Sequence, residues 1–213
     1  MRARRLAVLA SGVLAVLALP GCVSLKRTPE ARFFVLHSVA EPPAAPGAGP
    51  AVLVGLLPVD LPGYLDRPQI ATWVATGELH IDEYVRWAEP LDEGLGRTLA
   101  ANLEVLLPQG RVLRSPWPST ARLRCRVRVG LQRFGPQPSG EVLLQGRFAL
   151  LPPRDERPLA SRPVAYRRGP LASVGQAPDP GAGVDAMSEL AAALARDIAA
   201  AIGDLPAEAG ESR

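Results

Sequence analysis

Alternating apolar and polar residues in the second half of the chain predict a strand over residues 120–134. Side chains of a strand point alternately to its two faces, and here one face is apolar while the other carries arginines. The apolar face holds Leu123, Cys125, Val127, Val129 and Leu131, and the opposite face holds Arg122, Arg124, Arg126 and Arg128. Return strands are predicted over 141–151 and 159–168, so this part of the chain indicates an antiparallel sheet with one wet face.

Four shorter runs predict further strands in the first half of the chain. They cover residues 32–36, 51–59, 70–75 and 79–87. The last two flank a Gly-Glu turn and therefore indicate a hairpin. The second strand of this hairpin alternates regularly except at Tyr84, where we expect a local irregularity.

Two runs with apolar residues three or four positions apart predict amphipathic helices. The first opens at Pro90 and stops at residues 108–110, and its apolar stripe is Leu91, Leu95, Leu99, Leu103 and Leu106. The second covers residues 184–202, ends before Gly203, and has the stripe Met187, Leu190, Leu194, Ile198 and Ile202. Each stripe needs an apolar surface to cover it. The sequence therefore predicts an α+β fold, with a largely antiparallel sheet and two amphipathic helices packed on one face.

The N-terminal segment has the charge and length of a secretion signal. Arginines at positions 2, 4 and 5 precede an apolar run over residues 6–19, which is shorter than the roughly 20 residues that a membrane-spanning helix needs. The adjoining Leu19-Pro20-Gly21-Cys22 resembles the lipobox of a bacterial lipoprotein. This resemblance implies cleavage before Cys22 and lipid attachment to its sulfur. An uncleaved anchor helix, or an ordinary signal peptide beside a chance cysteine, is the alternative.

These features divide the chain into four parts. Residues 1–21 are the predicted signal peptide, 22–31 a tether, 32–205 a single domain and 206–213 a frayed tail. A domain of this size can form one hydrophobic core. Val23 stands where inner-membrane lipoproteins commonly have a retention aspartate. We therefore expect an anchor in the outer membrane with the domain facing the periplasm, and the inner membrane is the alternative.

The basic charge of the chain lies in its signal segment. The whole chain has 24 basic and 21 acidic residues, and without the three arginines of residues 1–21 the two classes are equal in number. A nucleic-acid-binding protein usually presents a strongly basic surface. We therefore expect no nucleic-acid partner.

Few residues are suited to catalysis or metal binding. Beyond the lipobox the chain has one cysteine, Cys125, which excludes a multi-cysteine zinc site, and we expect it to be buried and free. His80, Asp82 and Glu83 are metal-ligand types on one strand, without a visible further ligand. His37 could act as a base with a distant serine and aspartate, yet no glycine-flanked serine motif accompanies it. The sequence is not typical of an enzyme, and we expect no cofactor.

The arginines of residues 120–134 have two interpretations. Guanidinium groups bind phosphates and carboxylates, so these side chains could meet lipid headgroups or an acidic partner. Alternatively they pair with Glu141 and its neighbours across the wet face of the sheet, as opposite charges on adjacent strands commonly do. We favour the second interpretation.

Two segments in the first half place aromatic and charged residues between prolines. We call them the first and second motif; they read Pro62-Gly63-Tyr64-Leu65-Asp66-Arg67-Pro68-Gln69-Ile70 and Arg86-Trp87-Ala88-Glu89-Pro90-Leu91. Together with Leu57-Pro58-Val59, Pro116-Trp117, Leu143-Leu144-Gln145-Gly146-Arg147-Phe148 and the closing helix, they resemble the auxiliary lipoproteins of ABC-type transporters. Within that family the chain is similar to the paraquat-inducible protein C group.

The resemblance implies a non-catalytic partner of mammalian-cell-entry (MCE) domain proteins. Those proteins form periplasmic tunnels for lipids between the two membranes and work with a permease and an ATPase. The lipoprotein would meet the outer-membrane end of the tunnel, and self-assembly into a homo-oligomer is also implied. The candidate partner-binding residues are Tyr64, Asp66, Arg67, Trp87, Glu89 and Trp117.

Alternatives exist for both the site and the function. The aromatic side chains of the loops could pack into the core, and Arg67 could pair with an acidic side chain that pins its loop, which we favour over direct partner contact. The alternative function is an envelope structural or assembly lipoprotein that scaffolds outer-membrane components without a transport role. A lipid-anchored hydrolase is a more remote alternative.

Overall fold

Eight strands and two helices make up the described part of the chain, which in the computed structural model comprises residues 29–43, 51–107, 110–173 and 179–206. The strands are β1 (Arg32–Phe34), β2 (Leu53–Leu56), β3 (Gln69–Ala75), β4 (Glu78–Trp87), β5 (Arg111–Arg114), β6 (Cys125–Pro136), β7 (Val142–Leu151) and β8 (Ala160–Arg168). The helices are α1 (Leu91–Leu106) and α2 (Pro180–Gly203). The predicted signal peptide, Cys22 and the tail beyond residue 206 lie outside the described residues.

The strands form two mixed sheets, in which the longest pairings are antiparallel. The five-stranded sheet has the order β5-β2-β6-β7-β8, and the three-stranded sheet has the order β1-β4-β3. Strand β2 runs parallel to both of its neighbours, and β1 runs parallel to β4. The predicted α+β class with a largely antiparallel sheet is confirmed. The division into two sheets was not predicted, because it depends on short strands that pair with partners distant in sequence.

The predicted hairpin of the three-stranded sheet forms as expected, including its irregularity. In β3 and β4, Ala71 pairs with Ile81 whereas Gln69 pairs with Arg86, so β4 has extra residues between these two points. The extra residues include Tyr84, whose N–H donates to the Asp82 carboxylate at 2.8 Å. The interruption of the alternation in the sequence therefore corresponds to a real bulge.

Strand β6 buries the predicted apolar face but begins later than predicted. Cys125, Val127 and Val129 are fully buried, and the Cys125 thiol is free, as expected. Burial raises the pKa of this thiol to about 11, and nearby Arg124 lowers it only in part. Because the strand starts at Cys125, Arg122 and Arg124 lie before it. The Arg124 guanidinium instead donates to the carbonyl of Leu205 at 2.7 Å.

The arginines of β6 pair with acids, but the predicted partner was wrong. Arg126 and Arg128 both bind Glu156 in the connection between β7 and β8, and hydrogen bonds from Arg128 and then Arg126 lower the pKa of that carboxyl. Glu141 pairs with Arg167 of β8. A connection that folds back over the strands is not visible in the pairing pattern, so the sequence favoured the nearest acid on the return strand.

Helix α2 begins four residues before its predicted start, because capping residues precede its apolar stripe. The Asp179 carboxylate accepts hydrogen bonds from the N–H groups of Gly181 and Ala182, at 2.9 and 3.3 Å. These bonds, the one from Ala182 above all, hold the pKa of Asp179 below its usual range. Pro180 follows at the first helical position, where its missing N–H costs nothing.

The two predicted leucine-rich stripes form the centre of the core. Helix α2 packs against α1 and against β6, β7 and β8, while α1 also packs against β5. Four of the five stripe residues of α1 and all five of α2 are buried. Phe134 and Phe148 are the largest fully buried side chains from the sheet. Burial of these faces, and not the isolated helices, supplies most of the stability.

Strands β6 and β7 approach each other closely at Gly146. A Cβ atom at this position would lie 2.3 Å from the carbonyl oxygen of Gly130 and 2.8 Å from the Leu131 Cα. Both neighbours are backbone atoms in the middle of the sheet, which cannot move without disturbing the register. The glycine in the Gln145-Gly146-Arg147 segment is therefore required by packing.

We expect Gly146→Ala to reduce the free energy of unfolding by about 3 kcal/mol, since the added methyl group overpacks a rigid site. The measurement is urea unfolding of the purified chain. Gly203→Ala is the matched control, because a Cβ there meets nothing within 4 Å, and it should change stability by less than about 0.5 kcal/mol. Equal stability of the two variants would contradict the close approach.

Candidate partner-binding site

The first and second motifs come together around one cavity of about 320 Å³. Its walls are Asp66, Arg67, Pro68, Trp87, Ala88, Glu89 and Pro90. Four of the six candidate partner-binding residues therefore share a single site. Tyr64 and Trp117 do not line this cavity.

The first motif forms one wall through a tight turn. The N–H of Leu65 donates to the Pro62 carbonyl at 2.8 Å, and the N–H of Arg67 donates to the Leu65 carbonyl at 2.9 Å. The Leu65 side chain is buried at 3% exposure and holds the turn against the core. As a result, the side chains of Asp66 and Arg67 point into solvent at the rim of the cavity.

The second motif forms the floor and the opposite wall. The N–H of Trp87 donates to the Pro68 carbonyl at 2.7 Å, which joins the two motifs directly. The N–H of Ala88 donates to the Phe34 carbonyl at 2.9 Å, and the chain then enters α1 after Pro90. Trp87 is only 6% exposed, so its ring is a rigid part of the cavity and not a flexible surface group.

The first turns of α1 fix the position of Glu89. Its carboxylate binds the Arg97 guanidinium at 2.5 Å, and Arg97 also donates to the Leu36 carbonyl at 2.8 Å. Gly94 makes this arrangement possible, because a Cβ there would lie 3.0 Å from the Glu89 carboxylate oxygen. The negative charge of Glu89 is therefore already matched within the protein.

Arg67, in contrast, has no acidic partner among the described residues. The ion pairs of that part of the chain involve ten other basic side chains, and the expected pinning pair for Arg67 is not formed. The turn that carries Arg67 is held instead by backbone hydrogen bonds and Leu65. Its guanidinium is thus exposed, next to the Trp87 floor, and available for an external acceptor.

Tyr64 and Trp117 have other roles in the structure. The Tyr64 hydroxyl donates to the Gln132 carbonyl at 2.5 Å, and its ring meets that of Trp73 edge-on with centroids 5.5 Å apart. Burial raises the pKa of Tyr64, and the charge of Arg133 opposes this rise. The Trp117 ring lies over Gly55 of β2, where a Cβ would approach it to 3.0 Å.

His37, Ser188 and Asp185 meet in space, but their hydrogen bonds do not suit a nucleophilic serine. The fully buried Ser188 hydroxyl donates to the Val184 carbonyl at 2.9 Å and accepts the N–H of His37 at 3.2 Å. The His37 Nδ1 lies 3.3 Å from the same oxygen, and its Nε2 lies 3.9 Å from Asp185. A hydroxyl whose proton is held by a carbonyl, and which solvent cannot reach, ties the end of β1 to α2.

The three candidate metal ligands of β4 are separated. His80 and Asp82 line a different cavity, whereas Glu83 accepts a hydrogen bond from Gln69 at 2.9 Å and pairs with Arg86. Across the described ranges, no three His, Cys, Asp or Glu side chains are arranged to hold a metal ion. In the same ranges, neither helix has the length and apolar character needed to cross a bilayer.

Residues 34–199 match the model of a protein family described as the ABC-type transport auxiliary lipoprotein component. The chain belongs to this family. It is therefore an auxiliary component associated with ABC-type transport, and the family implies a membrane-associated lipoprotein on the periplasmic side. No curated protein matches the chain.

Solved structures of similar proteins share the fold of this auxiliary lipoprotein. One is an uncharacterized protein with 22% identity and a TM-score of 0.64, and the match covers 82% of this chain and 99% of that one. Another is a Xanthomonas campestris protein of the DUF330 family, with 18% identity and a TM-score of 0.63, covering 78% of this chain and 92% of that one. At these identities the likeness concerns the fold alone.

Sequence reasoning missed Arg97 and the backbone of Pro68, both of which shape the cavity of this auxiliary lipoprotein. Arg97 lies on α1, eight positions after Glu89. No local sequence pattern connects a residue that precedes a helix with a residue in its second turn. The Pro68 carbonyl carries no side-chain signal at all. Such contacts are visible only once the two motifs are placed side by side.

We expect substitutions of Trp87 and Arg67 to differ in their effect on stability, because the Trp87 side chain is buried and the Arg67 side chain is exposed. Trp87→Ala should reduce the free energy of unfolding by about 3–5 kcal/mol, because it leaves a void under the cavity. Arg67→Ala should change it by less than about 0.5 kcal/mol, since the side chain is exposed and unpaired. Urea unfolding of both variants checks this, and a large loss for Arg67→Ala would reveal a structural role for its guanidinium.

Proposed function

We propose that the protein is a membrane-anchored periplasmic lipoprotein that serves an MCE-type lipid transport system as a non-catalytic auxiliary component. In this proposal the cavity between the two motifs receives a segment of the MCE-domain protein. The observation that carries it is the convergence of both motifs on one cavity whose rim holds Arg67, which has no acidic partner among the described residues. Family membership supports the transport role in general terms.

The chemistry of the cavity suits a protein segment. Tryptophan and arginine are the residue types that contribute most often to interface energy, and here a rigid Trp87 floor lies beside the free donors of Arg67. A partner carboxylate or carbonyl would bind Arg67, while an apolar partner side chain would cover Trp87. Asp66, also exposed at the rim, would favour a basic residue next to it. Glu89 would act through its bond with Arg97, which keeps the wall in place.

Tyr64 and Trp117 would contribute less directly. Tyr64 holds the same loop through its bond to the Gln132 carbonyl, and so it supports the wall that carries Arg67. Trp117 lies over β2 and would contact a partner only if the interface extends beyond the cavity.

Attachment through Cys22 would place this site close to a bilayer. One acyl chain holds a protein to a membrane only weakly, so a stable anchor requires more than one chain. The resemblance of residues 19–22 to a lipobox implies that the mature chain carries three acyl chains. The outer membrane is the proposed location, on the basis of Val23.

We expect Arg67→Glu to reduce capture of the MCE-domain protein by about tenfold or more, because it replaces a hot-spot donor with a repulsive charge. The measurement is affinity capture from membranes of cells that produce the tagged chain and the MCE-domain protein together, with mass-spectrometric quantification.

Arg154→Glu is the matched control, since Arg154 is an exposed arginine in the connection between β7 and β8, outside the cavity. It makes the same change of charge and should capture the partner normally. Equal loss in both variants would exclude the cavity as the docking site. Failure of the unaltered chain to capture the MCE-domain protein would favour the envelope structural role instead.

A separate prediction concerns the anchor. We expect the mature chain to begin at an acylated Cys22, and Cys22→Ser to move the chain from the membrane fraction to the soluble fraction. Thiol titration provides a second measure: buried Cys125 should be unreactive in the folded protein and should be the one reactive thiol after denaturation. Two reactive thiols in the denatured mature chain would show that Cys22 carries no lipid.

A further inference from the structure

A second cavity, of about 180 Å³, lies between the three-stranded sheet, the end of β6 and the first turns of α2. Its wall is mainly aliphatic; the apolar side chains that line it are Ile70, Val85, Pro136, Pro180, Val184 and Met187. None of its lining residues is Phe, Tyr or Trp. Apolar cavities of roughly 150 Å³ stay free of water and take up small hydrocarbons.

The polar groups of this cavity are confined to one side. Thr72 and His80 are direct partners in the β3–β4 pairing, and Asp82 follows on the same face of β4. One carboxylate oxygen of Asp82 accepts the N–H of Tyr84, and within the described part of the chain the other oxygen accepts no hydrogen bond. His80 is exposed, so this side forms the mouth.

Arg32 lies beside this cavity without lining it, and its guanidinium stands over the Phe34 ring, 5.1 Å from the ring centroid. Arg32 is the register partner of cavity-lining Val85, and it reaches Asp179, directly before cavity-lining Pro180, at 3.5 Å. Both of these side chains are more than half exposed, so the pair is weak and can be rearranged by a ligand. The aliphatic interior therefore has Asp82 at its mouth and the Arg32–Asp179 pair nearby.

These features point to a ligand with an alkyl chain and a headgroup of two charges. The interior provides no hydrogen-bond groups apart from those at the mouth, so the buried part of the ligand must be apolar. The absence of aromatic rings from the wall and the adaptable thioether of Met187 suit a flexible alkyl chain better than a flat ring. We propose that this cavity holds several methylene groups of one acyl chain of a zwitterionic phospholipid, with the amine beside Asp82 and the phosphate beside His80 and within reach of Arg32.

This inference rests on the proposed function only in that the protein stands at a lipid bilayer. It does not use the Arg67 cavity, and it adds direct lipid contact to a role that otherwise involves proteins alone. Both cavities adjoin the three-stranded sheet, and different residues of β4 line each of them.

The test uses the full chain in vesicles that contain phosphatidylethanolamine with a photoreactive diazirine in its acyl chain. After illumination, cross-links are mapped by mass spectrometry, and we expect them on α2 around Val184 and Met187. Thr72→Phe, which fills the cavity from β3, should reduce this labelling by about tenfold, because the ring excludes several methylene groups. Val74→Phe is the matched control: it adds the same ring to the same strand at an exposed position outside the cavity.

Labelling of Thr72→Phe at the level of the unaltered chain would overturn the proposal. Asp82→Asn tests the headgroup without altering the fold, because the amide oxygen can still accept the Tyr84 N–H. It should abolish any preference for phosphatidylethanolamine over anionic phosphatidylglycerol. A photoreactive fatty acid that labels α2 as efficiently as the phospholipid would overturn the headgroup assignment. Because labelling needs no MCE-domain protein, a failure here is distinguishable from a failure of the capture experiment.

Discussion

The hydrogen bond from the Trp87 N–H to the Pro68 carbonyl is the contact on which the site depends. It closes the hairpin at the end where β3 begins and β4 finishes. Trp87 is also the register partner of Phe34 in β1, and four residues later the chain enters α1. Three strands and a helix therefore meet near Trp87, whose side chain is buried. The cavity is the space that this junction leaves at the protein surface, which explains why its floor is rigid while its rim is charged.

Some arginines of this protein bind groups within the protein, whereas others leave the guanidinium group accessible to a partner. Arg126 and Arg128 share Glu156, and Arg97 bridges Glu89 and the Leu36 carbonyl. Such pairs near the surface add little stability. In each of them, however, the guanidinium group has an acceptor within the protein. Arg67 is exposed beside an aromatic floor without such a partner in the described part of the chain. Arg154 is also exposed and outside the ion pairs of the described residues, so Arg67 differs by its position in the cavity wall and not by the lack of an acidic partner.

The two cavities differ in chemistry although the same strand contributes to both. The cavity at Trp87 has charged residues on both motifs and an aromatic floor, which suits a peptide segment. The cavity between the sheet and α2 is aliphatic with polar groups on one side, which suits an alkyl chain. An auxiliary component with both would contact a protein partner and a lipid through separate surfaces. Pro180, Val184 and Met187 line the second cavity, so the start of α2 is part of that surface as well as of the fold.

The sequence by itself determined the elements and which of their faces are buried. Alternation in β6, the stripes of α1 and α2, and even the bulge at Tyr84 are local patterns, and they are read directly from residues a few positions apart. The motif residues were also identifiable, because aromatic and charged side chains between prolines are unusual in sequence. The start of α2 was misplaced where the apolar stripe was given more weight than the Asp-Pro cap.

Only the tertiary structure decided which distant residues meet. The convergence of Asp66 and Arg67 with Trp87 and Glu89 depends on strand pairing across a bulged hairpin. The contact between His37 and Ser188 spans 151 positions. The exchange of Glu141 for Glu156 as the partner of the β6 arginines depends on how a connection folds back over the sheet. Periodicity records only which side of an element is apolar, whereas pairing, register and the course of connections are set by the whole core at once, and they have no local signature.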